Sequence, residues 1–114
     1  YEVVGVIVSL SKSVSIVDPQ GGNQPVTGAR MTYGIEVTVS GTGNADGLVV
    51  TDPIPANTTY EAASLTLNNE ALTDVVDGDA GDVGGSSADT VTVNLGDLSP
   101  ASPTHTITFD VTIN

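Results

Sequence analysis

Alternation of apolar and polar residues with period two recurs along this chain from end to end, and it restricts the fold to strands. Ser9, Ser11, Ser13 and Ser15 alternate with Leu10, Lys12, Val14 and Ile16, which puts the two sets on opposite faces of one half-buried strand. Met31, Tyr33, Ile35, Val37 and Val39 alternate with Arg30, Thr32, Gly34, Glu36 and Thr38 in the longest clean strand. Leu48 to Thr51 reads as a short strand closed by Asp52-Pro53-Ile54-Pro55, where two prolines stop ladder donation and force a crossover or an edge. Thr58 to Leu67 reads as a strand pair or a bent strand, and Asp74 to Ala88 as a loop without apolar period. Val91, Val93 and Leu95 mark the next strand. Ile107, Phe109, Val111 and Ile113, set against Thr106, Thr108, Asp110 and Thr112, mark the last. Strands on these spacings, joined by Gly, Pro, Asn and Asp turns, predict an all-β two-sheet sandwich with no helix.

At 114 residues the chain has the size of one domain. Val, Thr, Ser, Gly and Asp dominate while Lys, Glu and Arg are scarce, which deprives helices of their best surface formers and favours pleated strands. The formal net charge is -12, and Lys12 and Arg30 are the only fixed cations. Nucleic acid is excluded as a partner on that ground, since phosphate neutralisation needs clustered Lys and Arg. Anionic membrane surfaces are disfavoured likewise. With no cysteine the disulfide test of compartment is silent, but Thr-rich, Lys-poor strands suit a secreted prokaryotic protein, extracellular or on the cell surface. The opening on Tyr1 fits a processed mature chain. Its apolar start, Tyr1 to Leu10, is about half the length of a membrane-spanning helix, so no membrane insertion of the mature chain is expected.

Three segments carry a resemblance: Gly28-Ala29-Arg30-Met31-Thr32-Tyr33, Val37-Thr38-Val39-Ser40-Gly41-Thr42-Gly43-Asn44, and Val49-Val50-Thr51-Asp52-Pro53-Ile54-Pro55-Ala56. They are similar to the conserved-repeat domain of unknown function found, often in tandem, in bacterial and archaeal surface proteins. The similarity continues through Tyr60 to Leu67, Leu72-Thr73-Asp74, Asp77-Gly78-Asp79-Ala80-Gly81-Asp82 and Val91 to Leu98, and covers the chain from Ser9 to Asn114. The resemblance implies an immunoglobulin-like sandwich in an adhesin, cell-wall or S-layer setting, and it brings no catalytic residues. Many members of that family run on into a further short strand, so the domain is expected to be one strand short.

Tyr1 to Val8 is apolar on both faces, since Val4, Val6 and Val8 oppose Val3 and Ile7; such a strand needs cover on both sides. It could be an ordinary first strand that switches between the sheets of its own domain. The alternative joins this surplus to the missing strand. Residues 1–8 form a donor whose Val3, Val4, Val6, Ile7 and Val8 enter a neighbouring copy, with Val8-Ser9-Leu10 as hinge, while residues 9–114 form the sandwich. The expected acceptor is the last strand, through Ile107, Phe109, Val111 and Ile113. A contact with different donor and acceptor patches is heterologous and propagates head to tail. The chain is therefore expected to be a non-enzymatic structural subunit of a pilus-like extracellular filament, its partners being copies of itself. The alternative is a monomeric adhesive or spacer module of a tandem-repeat surface protein.

The remaining candidates are weaker. Asp74, Asp77, Asp79 and Asp82, with interleaved Gly, could turn several oxygens onto one Ca²⁺. They could equally be a solvated turn in which Asp and Gly supply Asx-turns and positive φ, and no cofactor is required by either reading. Lys12 falls on the apolar face, where a lysine snorkels or finds a carboxylate; an isopeptide bond to Asn114 is formally open to it. Asn57-Thr58-Thr59 is a glycosylation sequon after two prolines. His105 is the only histidine, and with no cysteine beside it there is neither a zinc site nor a nucleophile with a positioned base. Aromatics at 4% without Trp argue against stacking platforms for sugars.

Overall fold

The computed structural model describes residues 6–76, 78–86 and 88–114. Within them the chain is all-β: β1 (Val6–Val17), β2 (Arg30–Gly41), β3 (Ala45–Pro53), β4 (Thr58–Tyr60), β5 (Thr66–Leu67), β6 (Glu70–Ala71), β7 (Gly81–Val83), β8 (Thr90–Leu98) and β9 (His105–Ile113). Two antiparallel sheets make a sandwich. The larger runs β1-β2-β9-β5-β6 with β4 also on β9, and the smaller runs β3-β8-β7.

Register follows the alternation in the sequence. Residues directly opposed across an antiparallel pair share a face, so the pairings Lys12↔Ile35, Leu10↔Val37 and Val8↔Val39 put the apolar members of β1 and β2 on the same, inner side. Tyr33↔Phe109 and Ile35↔Ile107 continue that face onto β9. The core closes when Tyr33, Ile35, Val37 and Val39 of β2 and Ile107 and Phe109 of β9 meet Val50, Val91 and Val93 of the smaller sheet, together with Leu65 and Leu98. Phe109 has no exposed surface and stacks on Tyr33, with ring centroids 5.4 Å apart. Burying a Phe or Leu side chain contributes about 1.5–3 kcal/mol, so this cluster is the main source of cohesion in a chain without disulfides.

Two contacts fix how the sheets are stacked. Lys12 of β1 reaches Asp52 of β3, and a Cβ on Gly81 of β7 would lie 2.8 Å from Leu72 and 3.0 Å from Leu65. The β3 side of the smaller sheet therefore stands over β1 and β2, and the β7 side over β5. Gly81 is needed there because a side chain would push β7 off Leu65 and Leu72.

The expectation for the last strand is overturned. β9 is central, not an edge: β2 flanks it on one side, while β4 takes Val111, Thr112 and Ile113 and β5 takes Ile107 and Thr108 on the other. The interval between β4 and β5 is closed by Glu61 N donating to the Asp110 carbonyl and Asp110 N donating to Ser64 Oγ. Ile107, Phe109 and Val111 are fully buried in their own chain, and no acceptor edge exists along Ile107, Phe109, Val111 and Ile113. The strand order differs because residues distant in sequence supply β4 and β5, which no local pattern on β9 can announce. Nor does Val8-Ser9-Leu10 form a break in the isolated chain, since β1 runs unbroken through it and Val6, Ile7 and Val8 pair with Gly41, Ser40 and Val39. Val3 and Val4 lie outside the described residues.

Candidate assembly surface

The smaller sheet has fewer strands than the larger, and the shortfall lies over β1. On its inner face Val8 is 38% exposed, Leu10 59% and Val14 50%, although each sits directly opposite an inward-facing residue of β2. Val6, at the end of the same face, is 38% exposed, and Ile7 on the opposite face is 59% exposed. β3, whose outer edge has no partner among the described residues, flanks this uncovered face. An apolar strip on one sheet beside a free strand edge on the other has the form of a sandwich lacking one strand.

The free edges differ in how they are guarded. β6 and β7 are two and three residues long, and short edges offer little ladder to an incoming strand. β3 carries register shifts between Ala45 and Leu48 and between Leu48 and Val49, and ends at Pro53; its regular run is Val49 to Pro53. β1 is twelve residues long without proline, glycine or carboxylate. In a chain with 14 acidic residues, an acid-free strand of that length is the surface where self-repulsion between copies is weakest.

Lys12 guards the groove. Its Nζ lies 2.9 Å from Asp52 Oδ1 and 2.8 Å from Oδ2, and 4.7 Å above the Tyr33 ring. The Asn114 side chain accepts instead from Thr59 Oγ1 at 2.6 Å, so Lys12 and Asn114 are not brought together and no cross-link joins them.

The acidic loop is organised by backbone donors. Asp74 accepts from Tyr60 Oη at 2.7 Å and Ala63 N at 2.8 Å. Asp79 accepts from Thr73 N at 2.7 Å and Gly81 N at 3.1 Å. Asp82 accepts from Ser86 N at 2.8 Å, Ser86 Oγ at 2.7 Å and Gly85 N at 3.2 Å. Burial alone would raise the Asp82 carboxyl, but these donors outweigh it and hold the group below its ordinary value. Among the described residues no three acidic or histidine side chains converge as a metal site; Asp77 lies outside them. Asp79 with Gly81 N forms an Asx-turn, Asp82 caps the turn that follows β7, and Asp74 ties the loop back to Tyr60 and Ala63.

Asn57 is exposed in the turn before β4, with φ of 64°, and its carbonyl accepts from Asn114 N. The sequon is therefore sterically open. A cleft of about 530 Å³ next to it is lined by Pro55, Thr58, Tyr60 and Asp89 among others. Its Tyr60 hydroxyl is engaged with Asp74 and Leu65 N, and its Thr58 hydroxyl with the Pro55 carbonyl. His105 sits at the start of β9 with Nδ1 3.0 Å from the Asn68 amide, a contact that ties the β5–β6 turn to β9.

The groove between β1 and β3 escaped the sequence reading. Leu10 and Val14 carry the alternation of an ordinary covered strand, and only the sheet order reveals that nothing stands over them. Comparison with known proteins returns no family model, no curated protein and no solved structure that matches the chain.

Proposed function

We propose that this chain is a non-enzymatic structural subunit of an extracellular or cell-surface assembly, joined to its neighbours by β-strand addition. The supporting observation is the uncovered inner face of β1 beside the free edge of β3. Exposed apolar residues on the core side of a sandwich, bordered by unpaired backbone groups, are the signature of a site that takes an added strand. The engaged hydroxyls of the cleft at Tyr60, and the carboxylates turned onto backbone donors, favour a structural role over chemistry. The immunoglobulin-like, surface-repeat character implied by the resemblance fits the same setting.

Negative-stain microscopy and light scattering across a concentration series test the reading. Fibres one domain wide, or a discrete oligomer whose population grows with concentration, are the expected result. A strictly monomeric species at millimolar concentration would refute assembly and favour the spacer module of a tandem-repeat protein.

A further inference from the structure

We infer that the occupant of the groove between β1 and β3 is the N-terminal strand of a second copy, Val4 to Val8, added to the free edge of β3 and laid over Leu10, Val14 and Ile16. This rests on the reading of the chain as a strand-addition subunit and specifies its acceptor.

Lengths agree. The regular run of β3, Val49 to Pro53, has the same number of residues as Val4 to Val8. Strand residues alternate between faces, so an added strand that turns Val4, Val6 and Val8 toward the uncovered face leaves Gly5 and Ile7 outside. The inward set would then cover Leu10, Val14 and Ile16, the members of the inner face that remain on β1 once Val6 to Val8 have left it.

Charge agrees as well. Val3 to Val17 contains no carboxylate, in a chain of net charge -12. The donor and the β1 wall of the groove are free of acids, and Asp52 on the β3 wall is paired with Lys12, so copies that repel one another elsewhere can meet here.

The donor is poorly housed at home. Val6, Ile7 and Val8 pair with one strand only and keep 38%, 59% and 38% of their surface exposed. Leaving β2 forfeits the pairings to Gly41, Ser40 and Val39; entering the groove restores a ladder and covers the apolar side chains. Exchange of an element between identical chains is a low-cost route to association, and because donor and groove are different patches the contact repeats head to tail.

The test uses full-length chains in complementary variants. A donor variant carries Val4→Asp and Val6→Asp, leaving the groove intact. An acceptor variant carries Leu10→Asp and Val14→Asp, both at exposed positions, leaving the donor intact. Neither should assemble alone, and their mixture should give a 1:1 heterodimer and nothing larger, since each chain lacks the half needed for extension. Amide exchange should slow at Val49 to Asp52 in the donor variant's subunit alone, and protection along β9 in each variant by itself shows that both are folded. If the acceptor variant assembles like the unaltered chain while the donor variant does not, strand addition stands and the β1/β3 groove is wrong. If the donor variant assembles normally, Val4 to Val8 are not the occupant. Failure of the unaltered chain to assemble at all would instead overturn the strand-addition reading itself.

Discussion

Lys12 Nζ, on the core side of β1, sits 2.8 Å from Asp52 Oδ2 on β3 and so ties the two sheets together at the open side of the sandwich. The two side chains are 44% and 14% exposed, which places the pair between a surface bridge and a buried one. A half-exposed pair of this kind contributes about 0–1 kcal/mol. A double-mutant cycle of Lys12→Met and Asp52→Asn should give a coupling energy of about that size, shrinking as salt is raised. Coupling above roughly 3 kcal/mol, in the range of a buried pair, would mean that the groove is closed in solution.

The turn after β1 supplies an acid-sensitive element. Asp18 Oδ2 accepts from Gln24 N at 3.0 Å, and Oδ1 from Gly22 N and Gln20 N at 2.9 Å each. The bond from Gln24 leads these in holding the carboxyl below its ordinary value, and Asp82 is held low by its Ser86 and Gly85 donors in the same way. A depressed folded-state pKa adds stability that is present above the unfolded value, near 4, and lost as pH falls through the folded one. Asp18→Asn and Asp82→Asn should each lower the melting midpoint at pH 7, and the gap to the unaltered chain should close below about pH 4. A gap that persists at pH 2 would show that the turns are held by something other than the carboxylate charge.

Calcium has a definite expected outcome. With Asp74, Asp79 and Asp82 each turned onto its own backbone donors, a cation would have to break those bonds to collect them. Melting with excess chelator and with millimolar Ca²⁺ should give one midpoint. A rise on adding Ca²⁺ would show that the loop reorganises around the ion, since any ligand of the folded state raises its stability.

What was legible in the sequence is what period two encodes. β1 from Ser9, β2 and β9 follow the alternation residue for residue, because each turns one set of side chains to the inner face of the larger sheet and the other set to its outer face. Strand order was not legible, since a central and an edge strand of the same sandwich can share one pattern; Phe109 on β9 and Leu10 on β1 both alternate with polar residues, yet one is fully buried and the other mostly exposed. β7 was hidden inside the Gly/Asp loop because its members Gly81, Asp82 and Val83 carry no apolar period. Asp82, singled out as an oxygen donor for a cation, is a buried acceptor that shapes the turn from β7 toward β8.

Tyr60 joins the core to the acidic loop, and its hydroxyl sets an alkaline limit on that junction. The ring packs near Phe109, with centroids 6.5 Å apart, while the hydroxyl donates to Asp74 Oδ1 at 2.7 Å and accepts from Leu65 N at 3.1 Å. Burial, then the bond to the Asp74 carboxylate, raises the phenol above its ordinary value, because ionisation would put an oxyanion beside an existing negative charge. A raised folded-state pKa gives stability that is whole below the unfolded value, near 10, and is lost as pH climbs through the folded one. Tyr60→Phe keeps the ring but leaves Asp74 Oδ1 and Leu65 N without this partner, and should cost about 1–3 kcal/mol at neutral pH. The difference between Tyr60→Phe and the unaltered chain should stay constant from pH 6 to about 9 and narrow above about 10, where the unaltered chain alone loses this contribution. A difference that stays constant to pH 11.5 would show that the phenol ionises alike in the folded and the unfolded chain, so that burial and Asp74 do not hold it protonated.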